Sequence, residues 1–131
     1  MASKRIAVIL AFVALVVIGY FYWLGSGAPG PYDSFAACLS SKGAKMYGAY
    51  WCPHCADQKK QFAESWRLVN YVECSLPNNA GQTPVCASAG ISSYPTWEFA
   101  GGKKVEGVLS FDTLSGETGC AIQPLNATNS S

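Results

Sequence analysis

Trp51-Cys52-Pro53-His54-Cys55 sets two thiols three positions apart, a spacing suited to a dithiol that cycles with its own disulfide. Pro53 fits the first position of a helix, which leaves Cys52 as the cap facing unpaired backbone N–H groups. Those dipoles favour a thiolate at Cys52, the species that attacks and departs in disulfide exchange. Cys52 is therefore the expected nucleophile. Cys55 falls on the same side of the first turn and is the expected resolving thiol, able to attack a mixed disulfide on Cys52. His54 lies between them and, as a donor or when partly protonated, would stabilise the Cys52 thiolate and make the disulfide more oxidising. The alternative for His54 is a solvated loop histidine.

The elements that must hold this pair follow from hydrophobic period and turn chemistry. Residues 44–50 read as a strand leading into the dithiol. Over residues 53–67, Cys55, Phe62 and Trp66 form one stripe and Asp57, Lys59, Lys60, Glu64 and Arg67 a wetter face, the pattern of one amphipathic helix. Residues 69–74 read as a second strand, parallel to the first if the helix is a right-handed crossover. Upstream, Asp33 or Ser34 can cap a short helix with Phe35, Cys38 and Leu39 on one face and Gly43 as its stop. Downstream, a loop over residues 75–84 precedes a helical turn at 85–89 and then Ser93-Tyr94-Pro95-Thr96. Strands at 96–100 and 103–107 flank Gly101-Gly102, the signature of a two-residue hairpin. Ser110 caps a last helix over residues 111–117. The expected domain is α/β, a mixed central sheet with helices on both faces.

The 131 residues allow one ordinary domain and a short appendage. Residues 6–24 carry no charge and as a helix would reach about 28 Å, close to the thickness of a bilayer's hydrocarbon core. Lys4 and Arg5 precede this run and no basic residue follows before Lys42, which predicts a cytoplasmic N-terminus and an extracytoplasmic remainder. Tyr20-Phe21-Tyr22-Trp23 suits the outer interface. A cleaved signal peptide is the competing reading, with Ser26-Gly27-Ala28 as the small residues a peptidase needs. Both readings export the domain. The predicted organisation is an anchor at 1–24, a flexible linker at 25–32, the catalytic domain at 33–121 and a disordered tail at 122–131. From Gly25 onward seven Lys or Arg stand against eight Asp or Glu, a balance that suggests no nucleic-acid partner.

The order of elements, the helix-borne Cys52-Pro53-His54-Cys55 and Tyr94-Pro95-Thr96 resemble the thioredoxin fold. The Cys-Pro-His-Cys sequence itself is similar to that of DsbA-like oxidoreductases. More narrowly, Met46 through Cys55, Gln58-Lys59, Tyr71-Val72-Glu73-Cys74 and Ile91 through Glu98 resemble the thioredoxin-like domain fused to, or acting beside, vitamin K epoxide reductase (VKOR) homologues. The resemblance implies that Cys52 and Cys55 exchange and that Pro95 is a cis proline packed beside them, with exposed backbone able to pair with an extended substrate. An ordinary trans proline opening an edge strand is the alternative. Two positions depart from the pattern. Met46 stands where many thioredoxins bury an acid that accepts a proton, so proton handling must pass through water or Glu73. The fused proteins also carry a multi-helix quinone-reducing domain, whereas one span is visible here, so the electron acceptor is expected to be a separate VKOR-type membrane protein.

With Cys52 and Cys55 assigned, three pairings of Cys38, Cys74, Cys86 and Cys120 remain. We take Cys74 with Cys86 and Cys38 with Cys120 as structural disulfides, appropriate to an exported domain. The functional alternative makes Cys74 and Cys86 a relay to Cys55. A zinc site on Cys52, Cys55, Cys74 and Cys86 is disfavoured by the spacing of the second pair and by an oxidising setting. No cofactor or metal is expected. Asn126 and Asn129 begin glycosylation sequons. The function read from these residues is a membrane-anchored extracytoplasmic thiol-disulfide oxidoreductase that donates disulfides to exported proteins with free thiols. Its rivals are a reductase or isomerase kept reduced across the membrane, and a non-catalytic binding module.

Overall fold

The computed structural model of the chain describes residues 1–25 and 27–123. Ser26 of the small-residue run and both sequons lie outside them. The first helix, α1, is Ala2–Gly25, and its segment Ser3–Gly25, with mean hydropathy 2.5, is long and apolar enough to cross a membrane. None of that span is buried in the protein. A helix apolar all round with no protein cover has no amphipathic face to dock.

The remaining elements are α2 (Asp33–Ser41), β1 (Lys45–Gly48), α3 (Pro53–Phe62), β2 (Tyr71–Glu73), α4 (Pro84–Ser88), β3 (Thr96–Glu98), β4 (Lys104–Glu106) and α5 (Phe111–Thr118). Four strands form one sheet in the order β2-β1-β3-β4. β1 runs parallel to β2 and antiparallel to β3, and β3 pairs antiparallel with β4. This is the mixed α/β architecture that the patterning predicts.

Side chains alternate between the two faces of each strand, and the alternation divides the core. Met46 and Trp97 join Phe35 and Leu39 of α2, Phe62 of α3 and Leu114 of α5 in the larger cluster. Tyr47 joins Cys74, Cys86 and Ile91 in a smaller one, where α4 supplies Cys86. The sheet thus carries three helices against one face and a short one against the other.

Several local expectations need correction. α3 ends at Phe62, and residues Ala63–Leu68 continue as a 3₁₀ segment, so the predicted single helix is broken. Ala63 adopts φ 49°, a conformation that costs a non-glycine residue of order 1 kcal/mol or more. Tertiary partners outweigh that cost: Ser65 Oγ accepts the Tyr32 N–H at 2.8 Å, and Arg67 makes two 2.6 Å hydrogen bonds to the Asp33 carboxylate. A straight helix would withdraw both. Neither Asp33 nor Ser34 caps α2; the helix begins at Asp33 and the cap residue is Tyr32, with no side-chain cap. Residues 99–103 connect β3 and β4, and the turn inside them is three residues, 100–102, because Phe99 N–H pairs with the Lys103 carbonyl at 2.8 Å. Gly101 and Gly102 both take φ 84°, where a side chain would be strained. Ser110 caps α5 through its hydroxyl, which accepts the Thr113 N–H.

Candidate functional site

The end of β1 delivers the dithiol. Cys52 is the N-cap of α3 in an extended conformation and Pro53 is the first helical residue. The Cys52 N–H donates to the Ala49 carbonyl at 3.0 Å, and the Cys52 carbonyl accepts the Ala56 N–H, closing the first turn. Cys52 and Cys55 are both free thiols. They differ in access: Cys52 is 7% exposed and Cys55 1%.

Cys52 Sγ donates to the carbonyl of Tyr94 at 3.6 Å. Tyr94 precedes Pro95 through a cis peptide bond, and Pro95 itself is fully buried. The 93–96 segment is thereby brought against the more accessible sulfur. Trp51, half exposed, bridges the same two regions: its indole N–H donates to Ser75 Oγ at 2.9 Å and its ring meets Tyr94 edge-on at 6.1 Å. His54 is exposed and makes no hydrogen bond or ion pair among the described residues. Any role it has rests on its place beside Cys52.

Cys55 lies under β1. A Cβ on Gly48 would fall 2.9 Å from Cys55 Sγ and 2.9 Å from Tyr71 Cε2, so only a glycine leaves room there. Burial is the main cause that pushes the Cys55 thiol up to about 11, and the neighbouring Cys52 adds to it, while the Ala49 backbone opposes. Burial and a hydrogen bond to Glu73 likewise raise the Tyr71 hydroxyl, which stays protonated.

Two polar features escape the sequence pattern. Gln58 is completely buried on α3: its Oε1 accepts from Trp97 Nε1 at 3.1 Å and Leu109 N–H at 2.7 Å, and its Nε2 donates to the Leu109 carbonyl. It pins the dithiol helix to β3 and to the loop before α5. The signal was its position, three residues after Cys55 and four before Phe62 on the apolar stripe. Lys59, expected on the wet face, lies over the Tyr71 ring at 4.1 Å and the Trp66 ring at 5.6 Å.

The other cysteines are bonded as Cys38–Cys120 and Cys74–Cys86. Cys74 and Cys86 are fully buried in the smaller cluster, whereas Cys55 belongs to the larger one across the sheet. The bonded pair and the dithiol thus lie in different clusters of the core. Among the described residues no group of three or more His, Cys, Asp or Glu could hold a metal ion.

The mixed α/β domain sets a slightly exposed thiol at the cap of a helix and a second, sealed thiol one turn on, an arrangement that can exchange a disulfide. No family model matches it. The chain is similar to thiol-disulfide oxidoreductase LTO1 of Arabidopsis thaliana, 37% identical over 119 residues, which cover 87% of this chain. It spans only 31% of the length of that plant protein.

Proposed function

We propose that the chain is a thioredoxin-like thiol-disulfide oxidoreductase, anchored by α1 with its domain on the extracytoplasmic side, that donates disulfides to exported proteins. The observation that carries this reading is the unequal access of the two sulfurs on one helical turn. A substrate thiolate attacks Cys52 Sγ of the oxidised pair, the Cys52–Cys55 bond breaks, and Cys55 leaves as the second sulfur. A second substrate thiolate then attacks the mixed disulfide and releases Cys52. The substrate gains a disulfide and the pair two electrons and two protons. Return of those electrons to a separate VKOR-type membrane protein would restore the disulfide. Pro53 fixes the helix start, the Tyr94-Pro95 segment offers backbone beside Cys52, and His54, next to Cys52 in the chain, is the side chain that would donate to its thiolate.

The support is the dithiol geometry, the likeness to a named thiol-disulfide oxidoreductase, and an N-terminal helix of spanning length with Lys4 and Arg5 before it. Cys55→Ala should accumulate mixed disulfides between Cys52 and exported proteins, resolved by reducing and non-reducing electrophoresis. An absence of such adducts in acid-trapped cells refutes the mechanism. Alkylation trapping of the unaltered chain fixes the direction: a mainly oxidised pair supports donation, and a mainly reduced one assigns a reductase.

A further inference from the structure

We propose that Glu73, acting through the Tyr71 hydroxyl, exchanges the proton of Cys55 during thiol-disulfide exchange, a role that rests on the dithiol reading above. The register of the parallel pair places it. β1 and β2 align Met46 with Tyr71 and Gly48 with Glu73, so both β2 side chains project on the face where Met46 packs and Cys55 is sealed. Gly48, having no side chain, leaves the space that Cys55 Sγ and the Tyr71 ring share. Tyr71 Oη donates to Glu73 Oε2 at 2.7 Å, while Glu73 Oε1 accepts the N–H groups of Ser75 and Tyr50.

The groups around Cys55 leave few other proton acceptors. α3 contributes Cys52 and the Lys59 ammonium, β2 contributes Tyr71 with Glu73 behind its hydroxyl, and β1 contributes Met46, Gly48 and Ala49, none with a titrating side chain. With a thiol pushed to about 11, only about one Cys55 in ten thousand is ionised at neutral pH. A reaction that needs its thiolate gains from a base held nearby.

In resolution of a mixed disulfide on Cys52, the Tyr71 hydroxyl, bonded to Glu73 and not to Cys55 in the resting structure, closes on the Cys55 sulfur across the space beside Gly48; the Cys55 proton passes to the Tyr71 oxygen as the Tyr71 proton passes to the Glu73 carboxylate. Cys55 sulfur bonds to Cys52 sulfur, the bond from Cys52 to the foreign sulfur breaks, and that sulfur departs as a thiolate. In donation the same steps run backward, and Glu73 returns a proton through Tyr71 to Cys55 as it leaves. Lys59, above the Tyr71 ring, favours the Cys55 thiolate as it forms.

The test uses the full chain in detergent, with Cys52 loaded by a chromophoric aryl disulfide so that aryl thiolate release reports attack by Cys55. Loading itself is measured in a Cys55→Ala background. Tyr71→Phe and Glu73→Gln should each slow release roughly tenfold to a hundredfold near pH 6.5, with the rate climbing about tenfold per pH unit until it meets that of the unaltered protein where hydroxide suffices. Loading of Cys52 should not change. Release at the unaltered rate near pH 6.5, slowing that no rise in pH repairs, or slowed loading would each overturn the proposal. Failure of the unaltered protein to release the aryl thiolate would overturn the dithiol reading as well, and is distinguished by that control.

Discussion

Cys55 is sealed by β1 and keeps its proton where an unfolded chain would lose it, which ties stability to pH in the reduced protein. Its folded pKa lies near 11 against 9.0 for the free group. Because the folded value is the higher, the folded state binds more protons between these limits, and stability falls as pH rises through that window. The contribution is fully present below about 9, and roughly 2 kcal/mol of stability is lost by about pH 11. Urea unfolding of the reduced protein at intervals across this range should show a loss that Cys55→Ala lacks; parallel slopes in the two proteins would disprove the assignment. At this scale the placement of Cys52 at the helix cap and of Cys55 one turn on was legible from Cys-Pro-His-Cys alone, because Pro53 marks where the helix begins. The surroundings of Cys55 were not. Glu73 stood out only as a possible replacement for an acid missing at Met46, since nothing local in Tyr71-Val72-Glu73 states which strand it pairs with or in what register.

At the scale of elements, α3 presents its dithiol only while its other contacts hold it against the sheet. Gln58 is the polar clamp in an otherwise apolar seam, meeting Trp97 and both backbone groups of Leu109. Gln58→Leu keeps the volume but strips partners from two buried N–H groups and one carbonyl. Each such loss costs about 1–3 kcal/mol, so we expect destabilisation of about 3 kcal/mol or more, with an equal or greater fraction of Cys55 open to alkylation under native conditions. Denaturant unfolding and mass spectrometric counting of alkylated thiols check both; an unchanged midpoint would show the clamp to be dispensable. The strands, the dithiol helix start and the Ser110 cap followed from alternation, Pro53 and a hydroxyl before an apolar turn. The break at Ala63 did not, because the forces that end α3 come from the linker and from Asp33, some thirty positions earlier. Periodicity over residues 53–67 records that Trp66 must return to the core, beside Phe62 and Tyr71, and an uninterrupted helix and a 3₁₀ continuation satisfy it alike.

For the whole molecule, the important relation is between the dithiol and the point where the anchor joins the domain. Residues 27–30 have no helix or strand, yet Gly30 is buried and Tyr32 is hydrogen-bonded to Ser65, so the end of the linker is seated on the domain. Arg67 reinforces this join and holds the Asp33 carboxyl down at about 2, its hydrogen bond being the largest cause. The Cys38–Cys120 bond closes the domain behind it, joining α2 to the second residue after α5, and on the loop-entropy view is worth about 4 to 5 kcal/mol. Ser65 lies beyond the C-terminal end of α3, and Cys52 caps the other end. Ten residues of α3 separate the two by about 15 Å, so on the proposed topology the dithiol is held away from the tether and open to partners in the aqueous space. A Cβ on Gly30 would collide with the backbone nitrogen and hydroxyl of Ser65, and those atoms have little room to retreat. Gly30→Ala should therefore release the join while leaving the distant thiols as they were. Hydrogen exchange at the Tyr32 amide should quicken at least tenfold in detergent-held protein, with Cys52 alkylation unchanged. If both respond together, the linker and the redox site form one cooperative unit and the separation along α3 does not insulate them; if neither responds, the seat of Gly30 does not hold the linker.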